Sequence, residues 1–179
     1  MKCIQIILPS ILCVLIIYIT KMSILYYPLS FGLVIGLINW KIYKYNPYSG
    51  VLLSVLVSYI SFWLAIFSIW LMSNLRELIT SNTNYELSED GAAMYYLLIS
   101  VYIIAPLLVF FLYKFVFNFS KTKFNLTIII MSIIILLSIY GINSDYIIDK
   151  YPNTLPYILW QFIMGIALQI IITQNKLKI

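Results

Sequence analysis

Six runs of the chain, residues 4–20, 24–40, 51–72, 92–117, 124–140 and 156–173, each hold at least 17 predominantly apolar residues. At about 1.5 Å per helical residue, even the shortest covers most of a hydrocarbon core about 30 Å thick. Few folds accept such runs. Backbone amides and carbonyls within a bilayer must be satisfied inside the chain, so each run is expected to be a helix. Apolar residues make up 63%, charged residues only 9%, and the mean hydropathy is +1.00; a soluble domain carries about 25% charge. The expected fold is therefore all-α: one polytopic membrane helical bundle over residues 1–179, with about six transmembrane helices. The first two runs are separated only by Lys21, Met22 and Ser23. Read as one helix, residues 4–40 would reach about 55 Å, too long for a single crossing, so a tight helical hairpin is expected.

Charge sets the expected orientation. Lys2, Lys41, Lys44, Lys114, Lys121, Lys123, Lys176 and Lys178 fall in segments that alternate with those holding every acid. Six spans with the N and C termini cytoplasmic put +8 inside, and leave Lys21, Arg76 and Lys150 outside against six acids, a net −3. Lys and Arg are retained on the cytoplasmic side, so this orientation is expected in a bacterial inner membrane. The net charge of +5 then reports orientation and attraction to anionic membrane lipids, and no direct nucleic-acid binding is expected. No small-x-small site follows the first apolar run, so it is expected to remain as the first span. Cys3 and Cys13, about 15 Å apart along one helix, cannot bond to each other.

The connections divide by chemistry. The inner loop 41–50 carries Lys41 and Lys44 among Tyr43, Tyr45 and Tyr48. It reads as an interfacial anchor, with rings at headgroup level, or as a docking loop for a cytoplasmic protein partner; Lys121 and Lys123 offer the same on the second inner loop. The external loop 73–91 holds Glu77, Glu86, Glu89 and Asp90, its first part extending the third helix and Ser88 reading as an N-cap for the fourth. The external loop 141–155 adds Asp145 and Asp149. Ten of the sixteen tyrosines, Tyr27 and Tyr157 among them, fall on or near this outer side. They read as an aromatic belt or as an acidic, tyrosine-rich face that receives an external ligand.

Inside the spans the chemistry is sparse. There is no histidine in the chain and no Asp or Glu within an apolar run. Histidine-ligated metal sites, Ser–His dyads and paired intramembrane carboxylates all need those groups, so no enzyme activity, no metal and no cofactor are expected. Lys114, near an inner end, is expected to snorkel.

What remains is packing. Ser54, Ser58, Ser61, Ala65 and Ser68 recur at steps of 4, 3, 4 and 3, a seam that allows close helix approach in the monomer or between protomers, or that lines a narrow pore. Gly32 and Gly36 form a second close-approach face. With one face used inside the monomer and the other left for a neighbour, a homo-oligomer is expected. Gln161, Gly165, Gln169 and Thr173 align at steps of four on the sixth run. That polar face must look into protein, as interhelical hydrogen bonds or as the wall of a solute path. Pro106 falls mid-span in the fourth run, where a kink and a freed carbonyl at Tyr102 are expected.

The Ile/Lys/Asn/Tyr-rich composition is that of an AT-rich bacterial gene. In size and in lacking catalytic groups the chain resembles the small membrane subunit of the Kiwa phage-defence system, though with six apolar runs rather than four. More distantly it resembles polytopic colicin immunity proteins. The resemblance implies an oligomeric membrane sensor coupled to a cytoplasmic partner, and carries over no residue. Substrate-binding subunits of vitamin uptake are also similar in size and span count. Two functions are thus expected from the sequence: a non-enzymatic sensor or immunity-type membrane subunit, or a small channel or solute-binding subunit with Ser54, Ser58, Ser61, Gln161 and Gln169 along its path.

Overall fold

The computed structural model describes the backbone of residues 2–21, 23–80, 95–117, 123–150 and 155–176, and the side chains of 4–21, 23–76, 95–117, 123–139 and 157–174. Ser88, Glu86, Glu89, Asp90 and Lys121 lie outside the described residues, and the side chains of Glu77, Asp145 and Asp149 do also. Among the described residues the chain is helical without strands. Six helices follow one another: α1 (Lys2–Thr20), α2 (Tyr27–Ile38), α3 (Pro47–Thr80), α4 (Tyr95–Val116), α5 (Lys123–Lys150) and α6 (Leu155–Lys176).

Residues 4–40 do form a hairpin. Thr20 ends α1, and the Lys21 N–H still donates to Ile17 O at 3.0 Å. Lys21 then takes φ 46°, the left-handed conformation that ends many helices and usually falls to glycine. A 3₁₀ turn (Ile24–Tyr26) leads into α2, whose first turn holds Pro28, where a missing amide costs nothing.

As its spacing suggests, the first part of residues 73–91 extends the third helix: α3 continues to Thr80, so residues 73–80, Glu77 included, are helical. One connection is shorter than the sequence suggests. α5 continues to Lys150, which puts Asp145 and Asp149 on a helix and corrects the expected loop 141–155. Gly141 is the one strong breaker in residues 141–150, and a lone glycine costs a running helix only about 1 kcal/mol.

The helices stand in a ring in chain order. Each touches the next, α6 closes on α1, and α2 meets α6 across the middle. One end of the ring carries the α1–α2 turn (the turn end); the other carries residues 39–46 between α2 and α3 (the loop end). The core is buried aliphatic and aromatic, with Ile35, Tyr113, Met164 and Leu168 fully enclosed. The outer surface is also apolar: on α3, Ser54, Ser58 and Ser61 are buried while Trp63, Phe67 and Trp70 are more than half exposed. Three helical segments, Pro47–Arg76, Tyr95–Val116 and Tyr157–Gln174, are long and apolar enough to cross a membrane; Ile4–Thr20, Ile24–Ile38 and Lys123–Ile139 are shorter apolar helices.

Candidate functional site

At the loop end α2 and α3 are clamped together. A Cβ on Gly32 would lie 2.6 Å from Val55 Cα and 2.9 Å from Ser54 O, so only glycine lets the two backbones come this close. One turn on, Gly36 faces Ser54 and Val51. The glycine pair and the start of the serine seam therefore meet each other within one chain. Neither is left free for a neighbour, which corrects the division of labour behind the expected homo-oligomer. The seam's other end serves α4, with Ser68 donating to Ser100 at 2.8 Å.

Residues 41–46 fold back onto the same end. Tyr43, expected at the interface, turns inward: its hydroxyl donates to Gly36 O at 2.6 Å and stands 3.4 Å from Ser54 Oγ. Its ring lies on Gly50, where a Cβ would sit 2.2 Å from the ring carbon, and stacks on Phe117 at 5.0 Å between centroids. Burial pushes the Tyr43 phenol above its ordinary pKa, opposed in part by the Ser54 hydrogen bond, so it stays a donor at neutral pH. Lys44 reaches the last turn of α4: its amine donates to Lys114 O at 3.0 Å and its backbone N–H to Val116 O at 3.3 Å. A cation on helix-end carbonyls is a favourable C-terminal contact. Lys44, expected to meet a partner, makes these contacts within the chain while remaining exposed, and Lys41, Tyr45 and Tyr48 are exposed too, as is Lys123 at the start of α5.

From this loop a column of rings runs up the interior. Phe117 stacks on Tyr113 at 6.0 Å, Tyr113 meets Phe31 edge to face at 6.3 Å, and Phe31 meets Trp160 at 5.9 Å. The buried Tyr113 hydroxyl lies 2.8 Å from Ser58 Oγ and 3.2 Å from Ser54 O, tying the column to the seam.

Trp160 also repairs α4. Residues Ser100–Ile104 form a π-helical segment, and the Ala105 N–H donates to Ser100 O. In that register the next amide would serve Val101 O, but the next residue is Pro106, which has none. The Trp160 Nε1–H donates to Val101 O at 2.9 Å instead. The carbonyl that Pro106 leaves open is therefore that of Val101, one residue before the expected Tyr102, because the π turn shifts the register by one.

Towards the turn end a cavity of about 290 Å³ lies between α2, α3, α4 and α6. Its described walls come from positions within residues 24–31, 58–69, 101–109 and 157–161, and none of the described lining residues is charged. Tyr27 and Tyr157 line it with their rings edge to face at 6.2 Å. Ser58, Ser61 and Gln161 are its deeper polar points. Gln161 is 2% exposed; its Nε2 donates to Tyr27 O at 2.9 Å, and its Oε1 has no hydrogen-bond partner. The structure thus brings together three of the five residues expected along one path. Ser54 belongs to the α2–α3 clamp and Gln169 lies buried outside the cavity.

The rest of the polar face of α6 is spent on packing. Gly165 faces Ser10 of α1, and Thr173 donates back to Gln169 O of its own helix. Ser10 Oγ and Gln169 Nε2 are buried without a hydrogen-bond partner. Phe31, Tyr113 and Trp160 escape any reading by spacing, because each acts on a different helix from its own. Among the described residues no three His, Cys, Asp or Glu side chains gather into a metal-binding group. Compared with protein-family models, with curated proteins and with solved structures, the chain matches none of them.

Proposed function

We propose that this chain is a non-enzymatic sensor-type subunit of a bacterial inner membrane, crossing it six times with both termini cytoplasmic. The observation that carries the reading is the ring column from Trp160 through Phe31, Tyr113 and Phe117 to Tyr43. It joins a cavity at one end of the bundle to a side chain that pins the loop at the other. Serines inside and tryptophans outside on α3 support the membrane setting, since that arrangement is costly in water and natural in hydrocarbon. The charge distribution supports the orientation, with the loop end cytoplasmic and the cavity in the outer half. In this reading a ligand that shifts Trp160 or Phe31 loosens Tyr43, and residues 41–46 are the two-position element that a cytoplasmic partner reads. The channel reading is the weaker one, because stacked rings occupy the interior where a conduit would run. The likeness to phage-defence and immunity subunits makes a phage or a toxin the stimulus to try first.

Hydrogen exchange in nanodiscs tests the coupling. Trp160→Ala is expected to speed exchange of the Lys44 amide, and exchange identical to wild type would remove the reading. Topology is tested separately, with Cys3 and Cys13 replaced by Ala. Asn84→Cys should react with an impermeant maleimide added to whole cells, and Tyr48→Cys only after lysis. The reverse pattern would overturn the orientation.

A further inference from the structure

The cavity between α2, α3, α4 and α6 has a chemistry that selects its occupant. Most deep polar hydrogens on its described wall are already used. One Gln161 amide hydrogen goes to Tyr27 O, the Ser61 hydroxyl donates to Val57 O at 2.7 Å, and the Trp160 indole donates to Val101 O. Ser58 is engaged with Ser54 O and the Tyr113 hydroxyl. What remains there is the second Gln161 amide hydrogen and, above all, acceptor capacity: the Ser61 lone pairs and Gln161 Oε1, which has no partner among the described residues. The assignment of the amide is dictated by chemistry, since Tyr27 O can only accept and therefore faces the nitrogen. A buried carbonyl without a donor is costly, so this site favours a molecule that brings one.

None of the described lining residues carries a charge, so a carboxylate or ammonium would find no counter-charge among them. At about 290 Å³ the cavity sits at the small end of the range for ligand sites, about 300–1,000 Å³. Tyr27 and Tyr157 add two hydroxyls that suit a polar tail but demand none. We propose that the cavity binds a compact, neutral lipophile carrying a hydroxyl or N–H group, which donates to Gln161 Oε1 while its apolar body lies against Phe31, Ala65 and Val109. A plain acyl chain lacks that donor. The proposal deepens the sensor reading by naming the ligand class, yet the site stands without it.

Photolabelling tests the site directly. The probes are a medium-chain primary alcohol carrying a diazirine and its methyl ether, applied to the full chain in nanodiscs, with attachment mapped by mass spectrometry. The alcohol is expected to label Tyr27, Phe31, Phe62, Ala65, Tyr157 and Gln161, and excess unlabelled octan-1-ol should suppress this labelling. Loss of one hydrogen bond should make the ether about tenfold weaker at the same residues. Gln161→Leu is expected to equalise the two probes; Tyr27 O keeps a donor in that variant, because Ser30 Oγ reaches it at 2.9 Å. Ala65→Phe should remove cavity labelling by both while leaving the labelling of the exposed face around Trp63 and Phe67. Unsaturable labelling spread over that face, or equal labelling by alcohol and ether in wild type, would overturn the proposal, the latter by making the cavity a lipid-tail site. If labelling follows the prediction and exchange of the Lys44 amide does not respond to octan-1-ol, the site stands and the sensor reading falls.

Discussion

The two ends of the α2–α3 pair are built oppositely. At the loop end Gly32 and Gly36 bring the helices to backbone contact, and Tyr43 and Tyr113 fill the hydrogen-bonding needs of Gly36 O and Ser54 O. At the turn end the same two helices line a cavity, beside which Gln161 Oε1 of α6 has no hydrogen-bond partner among the described residues. One helix pair thus has a tightly packed half and a half that borders open space. Stability belongs to the first and recognition to the second, since a site that binds must leave something for its ligand to satisfy.

Adding bulk should separate the halves most sharply. Gly32→Leu drives a side chain into the Val55 backbone and is expected to cost about 3 kcal/mol or more, whereas Ala65→Leu, on the cavity wall, should cost less than about 1 kcal/mol. Unfolding by SDS titration in mixed micelles measures both. Equal losses would erase the distinction.

Next in size is Trp160→Phe, which keeps most of the ring packing but strips Val101 O of its donor. An unsatisfied buried acceptor costs about 1–3 kcal/mol, while Trp70→Phe on the exposed face should be close to neutral in the same titration. A neutral Trp160→Phe would mean that the π segment of α4 does not need the indole. Tyr113→Phe should follow at about 1 kcal/mol, because it removes a hydroxyl whose partners Ser54 O and Ser58 Oγ retain each other.

The smallest effect concerns pH at the loop. Burial raises the Tyr43 pKa above its ordinary value, so the folded state holds the phenolic proton more tightly than the unfolded chain. Its contribution is fully present below the ordinary tyrosine range and is lost as pH climbs through the raised value. Alkaline titration followed by phenolate absorbance should show one late-titrating tyrosine missing from Tyr43→Phe. Loss of an ordinarily titrating tyrosine instead would place Tyr43 in water, and the clamp would then end at Gly36.

Much of this was legible before any helix was placed against another. The seam from Ser54 to Ser68 does face inward, since a 3.5-residue period marks one side of a helix and hydroxyls avoid hydrocarbon. The charge of Lys44 marked its loop as important, but its target, the end of α4 seventy residues away, has no local signature. Asp145 and Asp149 looked like loop residues because charge is rare in this chain. Their polarity describes their solvent and not their backbone, and α5 runs on through both.

The sequence by itself determined the helices, their apolar lengths, the faces that turn inward and the distribution of charge between the ends. Each follows from residue spacing on a single helix or from the solvent that surrounds it. Only the tertiary structure decided that the glycine pair meets the serine seam in the same chain, that Trp160 supplies the bond Pro106 cannot, and that a cavity opens beside Gln161. Those outcomes depend on the axial offset and splay between helices, and a spacing pattern read along one helix carries neither.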